Sequence, residues 1–215
     1  MKNRIVAIEE GVSVKSHRHA HSPLAAVVAL RYSFVAAMNA QTVDTPAGSD
    51  AEYRAACGLF PTGVTVVTRR FPSGQPYGMT VSSFTSVSLN PPLILVCIDK
   101  RAGFGADLPS DAASVSFAVN VLRDDQQWIA ARFSTGSEQD RFAGIDWTPG
   151  LNDVPLLGGT VASFTCTVEN IVDAGDHFIF LGRVRELRRS GGRPLVWCES
   201  GYHCLPHPRP PEADI

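Results

Sequence analysis

The stretch Gly78-Met79-Thr80-Val81-Ser82-Ser83-Phe84-Thr85-Ser86-Val87-Ser88-Leu89-Asn90-Pro91-Pro92 decides how the chain is read. A half-buried strand alternates its side chains with a period of two. Val87 and Leu89 keep that period, but Ser82-Ser83 and Thr85-Ser86 stand as adjacent pairs. Hydroxyls are therefore expected on both sides of the backbone around Phe84. A buried hydroxyl needs a hydrogen-bond partner, so an ordinary core strand has little use for so many. Two readings follow: a Ser/Thr-rich surface strand, or a strand presenting hydroxyls and backbone amides to a large polar ligand.

Downstream, Pro91-Pro92 cannot donate to a ladder and marks a sharp break. Residues 93–98 are continuously apolar and read as a strand buried on both faces. The loop after it, 99–109, contains Gly103-Phe104-Gly105. The case for a dinucleotide-binding fingerprint is weak, because Leu108 replaces the third small residue, Pro109 limits a following helix, and no βαβ repeat comes after. Residues 114–122 read as a strand and 123–133 as a helix, with Asp124 and Asp125 in its first turn and Leu122, Ile129, Ala130 and Phe133 on its buried side. Residues 160–172 and 178–187 are two long strands joined by the Ala174-Gly175-Asp176 turn, which places His177 at the mouth of a hairpin. Residues 194–198 form the last clear strand. Upstream, Ser49 and Glu52 make a capping-box pattern for a helix to about residue 59, with Tyr53, Ala56, Cys57 and Phe60 on its apolar face. Residues 64–70 are β-branched, and the turn at 72–76 folds them back into the central stretch as a hairpin.

The chain has 215 residues, 44% of them hydrophobic and 19% charged, with a net charge of −2. That suits a globular domain carrying an appendage and gives no electrostatic case for nucleic acid. The apolar runs are strand-sized, so no membrane helix is expected. The five cysteines are odd in number and form no C-x-x-C pair, which argues against a disulfide framework and a zinc site and for buried thiols in the cytoplasm. Residues 1–48 read as a weakly ordered extension, with Met38 as a candidate start. Glu9, Glu10 and Arg31 spoil a secretory leader, and His17, His19 and His21 are expected to be solvated rather than metal-bound. A metal-binding interaction protein centred on those histidines is a third-ranked reading. Residues 206–215 form a proline-rich tail.

Several separated segments carry a family resemblance. The central stretch with residues 93–99, the segment Phe60-Pro61-Thr62-Gly63-Val64-Thr65-Val66-Val67-Thr68, Val119-Asn120-Val121-Leu122 and Gly175-Asp176-His177 resemble, in order, the short-chain flavin reductases. The resemblance runs from about Tyr53 to about Leu205. It implies a mainly β, six-stranded FMN-binding split barrel with a few peripheral helices, spanning 49–205 and working as a homodimer. It implies hydride transfer from NADH or NADPH to FMN, with FAD open, and delivery of reduced flavin to a partner monooxygenase. Thr62, Gly63, Thr80, Val81, Ser82, Ser83, Phe84 and Thr85 should line the flavin. Cys97, Asp99, Lys100 and Arg101 should lie near its ribityl and phosphate end. His177, as the catalytic residue, should lie with Gly175 and Asp176 on the nicotinamide side, where its alternative is a plain turn residue. Phe142 either touches nicotinamide or anchors its loop. Related loops carry serine or threonine around 102–104, whereas this chain has Ala102, Gly103 and Phe104, which leaves FMN against FAD open. A flavin carrier without a nicotinamide site is the alternative function.

Overall fold

The computed structural model describes residues 48–106, 108, 114–137 and 140–206. The expectations for the 1–47 segment, including Met38 and the three histidines, and for the tail beyond 206 lie outside these residues. Among the described residues no helix is long and apolar enough to cross a membrane.

The chain is mainly β. In order it runs α1 (Asp50–Gly58), β1 (Thr62–Gly63), β2 (Thr65–Arg70), β3 (Pro76–Val81), β4 (Thr85–Leu89), β5 (Pro92–Asp99), β6 (Ser116–Val121), α2 (Gln127–Thr135), β7 (Trp147–Pro149), β8 (Pro155–Leu157), β9 (Ala162–Ala174), β10 (His177–Arg189), β11 (Leu195–Cys198) and β12 (Gly201–Cys204). The main sheet holds seven strands in the order β3-β2-β6-β9-β10-β5-β4. Every pairing is antiparallel. Its two edge strands, β3 and β4, are consecutive in sequence and separated only by Ser82, Ser83 and Phe84. Three residues span at most about 10 Å, so the sheet must curl until its edges approach. Inside the curl lies a core that includes Val67, Ile94, Val96, Phe104, Phe117 and Phe180. On the outer face Val66, Leu122, Ile129, Phe133 and Leu195 form a second core under α2. Neighbours Val66 and Val67 feed opposite cores, as strand alternation requires.

The outer face is also pinned by Asn120, which is fully buried. Its amide donates to the Val66 carbonyl and the Thr68 hydroxyl, and its oxygen accepts from Leu157 N–H and the Ser163 hydroxyl. The group's full hydrogen-bonding capacity is thereby used. Asn120, one of the landmarks of the resemblance, is a structural tie.

Several sequence expectations shift. The 93–98 run is buried on one face only, through Ile94, Val96 and Ile98, while Leu93, Leu95 and Cys97 are half-buried. The second helix begins at Gln127, so Asp124 and Asp125 lie before it. They serve ion pairs with Arg193 and Arg123 instead of the helix dipole. The Ser49–Glu52 capping box forms, with Ser49 N–H donating to Glu52 Oε2 at 2.7 Å. Yet α1 buries none of its residues, and its expected apolar face is open. Every cysteine is free, and Cys166 alone is buried, where burial pushes its thiol up to about 12.

Candidate functional site

The central stretch is divided between two strands. β3 ends at Val81 and β4 begins at Thr85, so Ser82, Ser83 and Phe84 lie outside both ladders. The β4–β5 register pairs Thr85 with Leu95. Two residues further on, Ser83 faces Cys97 and its hydroxyl replaces the backbone pairing. Ser83 Oγ accepts from Cys97 N–H at 2.8 Å and donates to Cys97 O at 3.0 Å. Val81 and Phe84 turn inward, Val81 into the inner core and Phe84 against Phe164 at 5.4 Å. Ser82 and Thr85 stay exposed.

Two cavities border this segment. The larger, about 560 Å³, is lined by Tyr77, Met79, Asp99, Arg101 and Arg141, together with Thr80 and Ser134. The smaller, about 190 Å³, shares Thr80 and Ser134 and adds Val64, Ser82, Trp197 and Tyr202. Trp197 and Tyr202 meet edge to face at 4.8 Å across the β11–β12 hairpin. Volumes of this order hold cofactor-sized ligands. One end of the groove carries two guanidinium groups, the middle carries hydroxyls, and the other end carries an aromatic pair. Beside Trp197 in the β1–β11 ladder, Thr62 has a buried hydroxyl without a hydrogen-bond partner. A buried polar atom of that kind is costly unless something completes it, so the groove fits a long ligand that is anionic at one end and a planar, polar ring at the other.

At the charged end, Asp99 accepts from Arg101 N–H at 2.8 Å and from its guanidinium at 2.7 Å. The Arg101 side chain holds the Asp99 carboxyl well below the usual carboxylate range. Lys100 turns away, its Nζ 2.7 Å from Asp173 Oδ1 and 5.2 Å over the Phe178 ring. Arg141 donates from Nε to Gly136 O at 3.1 Å and from Nη1 to Gly78 O at 2.9 Å. Gly78 also lets the Phe133 ring pack against β3, because a Cβ there would stand 2.6 Å from that ring.

A sequence profile described as the flavin reductase like domain matches residues 57–206. The chain belongs to that family. It is 42% identical, over 149 residues, to the stachydrine N-demethylase reductase subunit of Rhizobium meliloti (strain 1021), covering 69% of this chain but only 63% of that protein. It is 41% identical, over 160 residues, to the FMN reductase (NADH) of Agrobacterium fabrum, covering 74% and 87%. Among solved structures, the NADH:FAD oxidoreductase of Streptomyces globisporus, in complex with NAD and FAD fragments, superposes with a TM-score of 0.66 at 37% identity, covering 77% of this chain and 96% of that one.

Within this flavin reductase like domain, the groove brings together Thr80, Ser82, Asp99 and Arg101 from the sequence reading. Gly63 and Thr62 sit on the strand beside it. His177, with Gly175 and Asp176, occupies the turn into β10 and pairs in register with Asp99. Its Nδ1 lies 2.7 Å from Asp176 Oδ1, and this contact lowers the Asp176 carboxyl. His177 lines neither cavity. Phe142 packs at 5.0 Å on Phe133 and 6.3 Å from Trp147, ring contacts that tie its loop to α2 and β7. Ser134, Arg141, Trp197 and Tyr202 escaped the sequence reading as site residues. Phe142 flags its loop in the sequence, but no local pattern marks which neighbouring side chain reaches the groove.

Proposed function

We propose that the chain is an NAD(P)H:flavin oxidoreductase that uses FMN, accepts FAD as the open alternative, and supplies reduced flavin to a partner monooxygenase. The observation that carries the proposal is the groove's polarity, with arginines at one end, Trp197 and Tyr202 at the other, and hydroxyls between. The names of the Agrobacterium, Rhizobium and Streptomyces relatives support NADH, flavin and an oxidative partner. Bound flavin supplies a hydride acceptor at N5, taking two electrons and one proton from C4 of the nicotinamide. The protein needs no nucleophile or strong acid for this; it must orient the rings and exclude water. Ser82, Thr85 and the backbone of 82–84 orient the flavin ring, Thr62 completes a hydrogen bond to it, and Ser83 holds the segment through Cys97. The Asp99–Arg101 loop cradles the phosphate end. His177, held by Asp176, presents a polar ring on the nicotinamide side.

The domain is proposed to span 49–205, with 206–215 as a tail. The curl closed by the 82–84 link supports a split barrel of the six-stranded FMN-binding type, with β4 as an added edge strand. Exposed Leu89, Val87, Val172 and Leu187, with open Tyr53, Leu59 and Phe60, support a homodimer. Free cysteines support the cytoplasm.

The test is NADH and NADPH oxidation by the purified chain with and without FMN. Flavin-dependent oxidation is expected; flavin binding without oxidation favours the carrier reading. That rival draws on His177 lying outside both cavities. His177→Ala separates the two: KM for NADH should rise roughly three- to tenfold, and an unchanged KM demotes His177 to a turn residue.

A further inference from the structure

We infer that Arg141, rather than Lys100 or Arg101, is the principal anchor for the phosphate of the bound flavin. The inference rests on the flavin reading of the groove and concerns which side chain supplies its net positive charge.

Lys100 is spent elsewhere: its ammonium pairs with Asp173, its backbone N–H donates to Asp176 O, and it lines neither cavity. Arg101 lines the larger cavity, but its guanidinium engages both oxygens of Asp99 through Nε and Nη2. Asp99 lines the same cavity and stays ionised across the neutral range. The pair therefore contributes no net charge. A phosphate that drew Arg101 away would meet an uncompensated carboxylate, a like-charge contact. The Arg101 side chain is also 86% exposed, so what it offers is screened by solvent.

Arg141 differs on each count. It has no carboxylate partner among the described residues, and its hydrogen bonds go to two carbonyls, Gly136 O and Gly78 O. Its guanidinium lies 5.7 Å from the Tyr77 ring centroid. Two carbonyls and an aromatic ring fix the side chain before any ligand arrives, so little rotamer freedom remains to be lost on binding. Nη2 makes no hydrogen bond among the described residues, and Arg141 and Ser134 line the same cavity. With Asp99 and Arg101 cancelling, Arg141 leaves the cavity net positive. This also accounts for a phosphate loop whose 102–104 positions carry no hydroxyl and whose Phe104 is given over to the inner core.

The experiment compares FMN with riboflavin, which lacks the phosphate, by flavin-fluorescence titration of the full chain as wild type, Arg141→Met, Arg141→Lys and Arg101→Met. Arg141→Met should weaken FMN roughly ten- to hundredfold, the range of a charge-assisted hydrogen bond, and riboflavin less than about threefold. Arg141→Lys should lie between, since a lysine keeps the charge but not the two-carbonyl geometry. Arg101→Met should cost less FMN affinity than Arg141→Met. The inference is overturned if Arg141→Met weakens both ligands equally, the mark of a merely structural role, or if Arg101→Met costs more. If circular dichroism shows Arg141→Met unfolded, Arg141→Lys decides by the same comparison. A wild-type chain that binds neither ligand overturns the flavin reading itself, whereas flavin-dependent NADH oxidation alongside unchanged FMN preference in the variants overturns only the role of Arg141.

Discussion

β2 and β4 are built from the same kinds of residue and have opposite fates. β2 reads Thr-Val-Val-Thr-Arg-Arg, and its first five residues are buried; β4 reads Thr-Ser-Val-Ser-Leu, and four of its five are exposed. β2 pairs with β3 on one side and β6 on the other, and each face is covered by its own core. β4 is an edge strand with one neighbour, and Leu89 at its end is 92% exposed. Position in the ladder, more than composition, decides what a β-branched or hydroxyl residue does. A threonine inside β2 finds a partner within the chain, as Thr65 does on Val81 O. Beside β4, the Ser83 hydroxyl is committed to Cys97, while the Ser82 hydroxyl makes no such bond among the described residues and remains available to something else.

The sharpest way to break this contrast is Val67→Ala. Val67 is fully buried, and the substitution should cost about 2 kcal/mol through lost burial and a residual cavity, read as a lower denaturant midpoint. A midpoint within experimental error of wild type would show that the inner core relaxes freely there. Next comes Ser83→Ala, which removes both hydroxyl bonds to the Cys97 backbone and should cost about 1–2 kcal/mol. Because Ser83 extends the β4–β5 register, amide exchange should speed up in β4 and remain slow in β2. Smaller again is the contribution of Asp99. Its folded value is depressed, so the stabilisation from the Arg101 pair is fully present above the unfolded carboxylate value near 4 and fades as pH falls through the folded value. Thermal unfolding from pH 7 downward should therefore show a decline below about pH 4 that Asp99→Asn lessens. Smallest for the isolated chain is Leu89→Ser, expected within about 0.5 kcal/mol. The same variant should weaken self-association in sedimentation, and an unaltered dimer would remove β4 from the proposed interface.

Much of the fold could be read locally. The β2–β3 hairpin, the long β9–β10 hairpin and the Ser49 capping box follow from turn residues and period. What escaped depends on distant partners or on unusual backbone. The β11–β12 turn places Glu199 and Ser200 at φ 48° and 61°, conformations for which asparagine and glycine are the usual signals, so β12 gave no sign of itself. The adjacent hydroxyl pairs in 82–86 correctly resisted a simple strand. Their cause, a strand ending at Val81 and a new one starting at Thr85, is a property of the whole sheet. Arg141 is held at the groove by the Gly78 carbonyl, and Gly78 also lets the Phe133 and Phe142 rings close on β3, contacts spanning more than fifty residues of sequence.

The three-residue link between β3 and β4 has a mechanical meaning. A rolled sheet is weakest at its unzipped seam, and beside that seam the Ser83 hydroxyl ties the link to β5 alone. The joint is thus held from one side: loss of that hydroxyl frees the link from β5, while the ladders of β3 with β2 and of β4 with β5 keep their own bonds.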